Sequence, residues 1–197
     1  MSTSPRALGL LCILLAGVIA SWPIYGQSVQ RIQLKVIKQI NDYSCGIACV
    51  TTVLDYWDVN TQQQQILHRY PPQDTAQGYS LGQLKRIVQD HNLEGYALFS
   101  NLSFLRAQIR KERPVIVALV VPYNMYSLDW VRNVPVYGEI FEYLTQASTF
   151  SHFVVVHDVD REKVRVMDPL YGLKSLSKEA FETMWDKKHN AMLLVAA

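Results

Sequence analysis

The chain has 197 residues, 49% of them hydrophobic and 18% charged, with a formal net charge of +2. That suits one globular domain with a sizeable core. It gives nucleic-acid binding little support, because the longest basic cluster, Arg106, Arg110, Lys111 and Arg113, is dispersed and reads as a solvated helix face.

The N-terminal stretch is set apart by its pattern. Arg6 precedes an unbroken apolar run from Ala7 to Ala20, and Ser21, Trp22, Pro23 and Gly26 then break any helix. A basic start, an apolar centre and small residues after it make a secretory signal, with cleavage expected after Ala20 or after Gly26. The alternative is a retained anchor, since the run stretched to Ile24 approaches the shortest span that crosses a bilayer. Either way residues 1–26 stand outside the fold and residues 27–197 form the domain. That domain is expected outside the cytoplasm, in the periplasm or tethered to the inner membrane.

Arg31 to Ile37 alternates polar and apolar residues, as a half-buried strand does. The most informative stretch follows, Lys38 to Trp57 (KQINDYSCGIACVTTVLDYW). Apolar residues at Ile47, Val50, Leu54 and Trp57 mark an amphipathic helix with Ser44 as its N-cap, so Cys45 falls in the first turn. The unpaired N–H groups and positive macrodipole end there favour an anion, which stabilises a thiolate. Gly46 is expected to leave room for a substrate carbonyl. Gln39 brings an amide donor six positions upstream.

Thr61 to Tyr70 predicts a short helix ended by Pro71 and Pro72, with His68 on its surface; its four glutamines, 62–65, are too few for a low-complexity tract. Ser80 and Gln83 form a capping-box pattern opening a helix whose face is Leu81, Leu84 and Val88. Leu93 to Phe99 reads as a strand, Asn101 caps a helix through Leu102, Leu105 and Ile109, and Pro114 opens a buried strand to Val121. Pro122 to Phe150 carries seven aromatics, Tyr123 to Phe150, and reads either as a loop and hairpin folded onto the domain or as a substrate flap. His152 to Val159 and Lys163 to Met167 are two strands joined by the turn Asp160-Arg161-Glu162, with Asp168-Pro169 closing the second. Ser177 caps a helix through Phe181, Met184 and Trp185, and Ala191 to Ala196 is a final strand. Helices first and an antiparallel meander afterwards is an α+β order, with the Cys45 helix packed on the sheet.

Signal removal leaves two cysteines, Cys45 and Cys49, one helical turn apart. Such a pair is a poor structural disulfide. Cys49 reads as a small core residue, with a redox or metal Cys-x-x-x-Cys site as the sharper alternative, although zinc wants four ligands and no second pair is present. No motif calls for a metal or a cofactor. An antiparallel hairpin brings His152 and Asp168 to the same end of the sheet. An imidazole held there by a carboxylate keeps the right tautomer and can take a proton from Cys45. His157 is the rival base, but strand alternation turns it to the opposite face near Asp158 and Asp160, where it reads as a solvent-facing turn residue.

Gln39 through Gly46 (QINDYSCG), His152 to Val156 (HFVVV) and Met167-Asp168-Pro169 resemble the C39 cysteine peptidases. The resemblance covers the mature chain, including the SLGQLKRIV and PVIVAL stretches, and implies a papain-like fold. It also implies catalytic roles: Cys45 as nucleophile, His152 as general base, Asp168 as the group orienting that histidine, and Gln39 as the oxyanion-hole side chain. The family's leader-cleaving members form the front end of ABC exporters, whereas these residues carry no transporter segments and no ATP-binding loop. Stand-alone exported relatives accompany bacterial secretion systems, including functional-amyloid export. The expected activity is thus a periplasmic thiol peptidase acting on a peptide or protein substrate in service of an export system. Two other readings are a non-catalytic papain-like peptide-binding or chaperone module and acyl transfer by the same thiolate.

Overall fold

The computed structural model of the chain describes residues 32–122 and 149–197. The expected signal or anchor and the interior of the aromatic stretch lie outside those residues. Helix α1 (Cys45–Tyr56) comes first, then α2 (Gln63–Arg69), α3 (Leu81–Asp90), strand β1 (Glu94–Phe99), α4 (Leu102–Ile109) and β2 (Val115–Pro122). After the undescribed segment come β3 (Thr149–Val159), β4 (Lys163–Asp168), β5 (Gly172–Ser177), α5 (Lys178–Asp186) and β6 (Ala191–Ala196).

The strands form one six-stranded sheet in the order β1-β6-β2-β3-β4-β5. Every described pairing is antiparallel. This is the α+β arrangement expected from the order of elements, and it agrees with the papain-like fold that the resemblance implies. Its central strands are apolar on both faces because both are covered. Val115, Val117, Leu119, Val154, Val156, Val166 and Met192 pack with α4 and α5, around Phe181 and Trp185. Ile116, Val155, Met167, Leu193 and Val195 pack on the other side with α1, α2 and α3. Alternate residues of each strand therefore feed two cores, each buried side chain contributing about 1.5–3 kcal/mol.

Capping predictions hold at three helices. Ser80 Oγ accepts from Gln83 N at 3.2 Å while Gln83 Oε1 accepts from Ser80 N at 2.8 Å. Asn101 Oδ1 accepts from Phe104 N at 2.9 Å, and Ser177 Oγ from Ala180 N at 3.2 Å.

Three expectations are corrected. Residues 32–37 form no strand. Ile32 is buried and Leu34 packs against the α1 core, but these residues join no sheet among the described residues. Gly172–Ser177, unremarkable in sequence, is instead the edge strand, paired to β4 from Lys163↔Ser177 to Asp168↔Gly172. Finally, α1 is not amphipathic: Gly46 through Leu54 are all buried, because sheet, α2, α3 and the N-terminal segment enclose it.

Candidate active site

Cys45 is the first residue of α1, half-buried, with Ser44 at the N-cap position. Ser44 does not cap the helix in the expected way. Its backbone sits at φ −100°, ψ 13°, and no side-chain cap bond forms. The hydroxyl turns back instead, accepting from Ile40 N and Asn41 N at 3.2 Å each and donating to Asn41 O at 3.1 Å. The serine thus ties down the loop before the helix and leaves the first-turn amides unclaimed by a capping side chain. That suits a turn that has to receive developing negative charge.

Gly46 is also explained differently from expectation. A Cβ there would lie 3.0 Å from Leu84 Cδ1 and 3.2 Å from Phe153 Cδ2. Its small size lets α1 approach α3 and β3, and Phe153 is the residue beside His152.

His152 lies on β3, three residues after the strand begins, and Asp168 ends β4. Register pairs Val155 with Met167, so the hairpin brings the two side chains to the same end, as the sequence suggested. His152 Nε2 is 3.0 Å from Asp168 Oδ1, with 2% and 0% of the two side chains exposed. The same Oδ1 accepts from Leu170 N at 2.7 Å and Tyr171 N at 3.2 Å. These donors fix the carboxylate, and the carboxylate fixes the ring.

Cys45 is the other group that acts on the ring. Asp168 occupies Nε2, which leaves Nδ1 for the sulfur. Burial pulls the ring's proton affinity down, but the hydrogen bonds to Asp168 and Cys45 and the charges on both outweigh it and push the pKa up to about 9. At neutral pH the imidazole is therefore protonated, beside the Asp168 carboxylate and the Cys45 sulfur. A thiol, imidazole and carboxylate in series can support nucleophilic attack and return a proton to a leaving group.

Gln39 stands on the loop before α1, tied to the turn that follows Asp168. Its backbone N–H donates to Pro169 O at 3.1 Å, next to Asp168, and Lys38 Nζ reaches Leu170 O at 2.6 Å. The Gln39 side-chain Nε2 donates to Asn41 O at 2.9 Å. A carbonyl acceptor there sets which end of the amide is which, and the second Nε2 hydrogen is left for a ligand.

A family model described as "Peptidase_C39 like family" matches residues 31–192. The chain belongs to the Peptidase_C39-like family. Solved structures agree on the fold. One is a double glycine motif protease from an AMS/PCAT transporter in complex with the leader peptide, 17% identical over 84% of this chain and 93% of that one, TM-score 0.57. Another is the peptidase domain of Streptococcus ComA, a bi-functional ABC transporter of a quorum sensing pathway, 15% identical over 84% and 98%, TM-score 0.60. A C39-like peptidase structure from Bacillus anthracis is 16% identical over 83% and 94%, TM-score 0.62. No curated protein matches the chain.

Within this C39-like domain the remaining candidates separate clearly. Cys49 is fully buried among apolar neighbours, and burial, aided by the charges of Cys45 and Asp168, raises its thiol well above the ordinary value. Both cysteines are free thiols. His157 is not the solvent-facing turn residue expected: it lies on β3 where the register slips between Val156 and Asp158, and its ring nitrogens are shielded from solvent. His68 is exposed, as expected. Among the described residues no group of three or more His, Cys, Asp or Glu is arranged to hold a metal ion.

One residue near the site was missed. Gln63, at the start of α2, is 5% exposed and hydrogen-bonds the backbone on both sides of Gln39. A signal was present. Gln63, Ile66 and Tyr70 are spaced three and four apart, which places a glutamine on the inward face of its helix.

Proposed function

We propose that this Peptidase_C39-like domain is a cysteine peptidase. The observation that carries the reading is the buried His152–Asp168 pair, hydrogen-bonded at 3.0 Å and electrostatically coupled to Cys45 at the start of α1. Cys45 is the nucleophile: it gives its proton to His152, and the thiolate sulfur forms a bond to the carbonyl carbon of the scissile peptide. His152, which holds that proton at rest, gives it to the leaving amine as the C–N bond breaks. As neutral imidazole it then takes a proton from the water that hydrolyses the thioester. Asp168 orients the ring throughout. The oxyanion formed in each half-reaction is met by the backbone N–H of Cys45 and the side-chain amide of Gln39.

The substrate is a peptide or an extended segment of a protein; a structural neighbour in complex with a leader peptide supports an extended ligand. The apolar stretch at residues 7–20 supports export, either by cleavage of a signal or by tethering to the inner membrane. We place the enzyme in the periplasm, serving a secretion system. A pure peptide-binding module has no use for a buried ionisable pair aimed at a half-exposed thiol, because such a pair is costly to bury.

The test compares peptide termini in periplasmic extracts from cells carrying the native chain, Cys45→Ala or His152→Ala. Termini that vanish in both variants are expected, and their sequences identify the substrate. The same termini in all three strains, with Cys45→Ala still restoring the phenotype of a deletion, would replace the peptidase with the binding module.

A further inference from the structure

We infer that Gln63 is a positioning residue for the oxyanion hole, acting through Gln39. The inference rests on the peptidase reading, in which the Gln39 amide meets the oxyanion. Along an extended chain the carbonyl of one residue and the N–H two residues later point to the same side, and a paired strand satisfies both. None of the described strands pairs with residues 38–40, yet both groups are satisfied. Gln63 Nε2 donates to Lys38 O at 2.8 Å, and Gln63 Oε1 accepts from Ile40 N at 3.3 Å, an N–H shared with Ser44 Oγ at 3.2 Å. A single buried side chain thus does the work of one residue of a missing strand.

On the other side of the loop, Gln39 N donates to Pro169 O at 3.1 Å. The peptide group before the Gln39 Cα is therefore held from opposite sides, by α2 and by the turn after β4, and the one after it is held by α2 and Ser44. Gln63 touches neither the substrate's reacting atoms nor Cys45. It fixes the direction in which the Gln39 side chain leaves the backbone, and a misplacement near 1 Å in a catalytic group costs as much as ~100-fold.

Two probes separate this role from a general structural one. Hydrolysis of N-benzyloxycarbonyl-glycine p-nitrophenyl ester passes through a tetrahedral oxyanion. Alkylation of Cys45 by iodoacetamide displaces iodide and forms none. In the full chain, Gln63→Met keeps the volume and removes both bonds. It is expected to lower kcat for the ester about tenfold, leaving KM and the alkylation rate within about twofold. In a Gln39→Ala background the same change is expected to cost nothing further, because the group it positions is gone. Gln63→Glu keeps the shape and the acceptor but sets a carboxylate against the Lys38 carbonyl; the same loss of kcat is expected, and it serves if Gln63→Met does not fold.

Ester turnover within twofold of the native chain would overturn the inference. So would a loss that multiplies with that of Gln39→Ala, or an alkylation rate that falls in step with kcat. A native chain that neither hydrolyses the ester nor takes up iodoacetamide at Cys45 would instead bring down the peptidase reading, and this inference with it.

Discussion

The protonation of His152 makes a prediction about stability that needs no substrate. In the unfolded chain this histidine titrates near 6.5, and in the fold at about 9. The native state holds the proton more tightly, so the stabilisation is full below about pH 6.5 and drains away as pH rises through about 9. The gap between the two values, at roughly 1.36 kcal/mol per unit, is about 3 kcal/mol, most of it gone by pH 9. With an m-value of about 2 kcal/mol/M in urea, the unfolding midpoint should fall by about 1 M between pH 6.5 and pH 9. Cys49 adds a loss that begins only near the top of this window, where the thiol of the unfolded chain ionises while burial keeps the folded one protonated. The assay is urea unfolding followed by tryptophan fluorescence at several pH values, with His152→Gln as control. That variant starts less stable and should show a flat midpoint. A midpoint in the native chain that does not move, or one that falls equally in His152→Gln, would refute the idea that Asp168 and Cys45 hold this proton in place.

Two further outcomes follow from the same geometry. Asp168→Asn keeps an acceptor for Leu170 N and Tyr171 N but removes the charge facing His152 Nε2, so the alkaline limb of Cys45 alkylation by iodoacetamide should move down by about one pH unit or more. An unmoved limb would show that the carboxylate's charge does not raise the imidazole. Gly78→Ala should destabilise the domain by about 1–2 kcal/mol or more, because Gly78 sits at φ +71° and the added Cβ would stand 3.0 Å from the Tyr43 carbonyl oxygen. Chemical denaturation reads the cost, and a variant as stable as the native chain would mean that the loop before Cys45 can yield.

The parts of the site legible in the sequence were those carried by regular elements. Cys45 could be placed at a helix start from the stripe Ile47, Val50, Leu54, and His152 and Asp168 could be brought together because a hairpin with a short turn fixes register. What stayed hidden depends on partners that a local pattern does not name. Residues 32–37 alternate like a strand, and only the fold shows that none of the described strands pairs with them. Gly172–Ser177 (GLKSLS) is polar and short because an edge strand needs only one neighbour, so its composition resembles a loop. Ser44 has the identity of an N-cap and faces the wrong way for one, since its hydroxyl has nearer partners in Ile40, Asn41 and Asn41's carbonyl. His157 was assigned its place by simple alternation, which the irregularity between Val156 and Asp158 interrupts.

The turn after β4 ties the two halves of the site together. Its backbone amides at Leu170 and Tyr171 converge on Asp168 Oδ1, which orients the imidazole. Its carbonyls at Pro169 and Leu170 face the other way and receive Gln39 N and Lys38 Nζ. Donors from one side of the turn therefore set the acid–base group, and acceptors from the other side set the loop that carries the oxyanion donor. Gly172, at φ +83°, lets the chain leave this turn and enter β5, with Lys38 Nζ 3.7 Å from where its Cβ would stand. A displacement of the turn would shift His152 and Gln39 together relative to Cys45, which α1 holds independently through Gly46, Leu84 and Phe153. The distance between nucleophile and machinery thus depends on α1 against β3, on residues 38–40 against residues 169–171, and on Gln63 of α2 against residues 38–40.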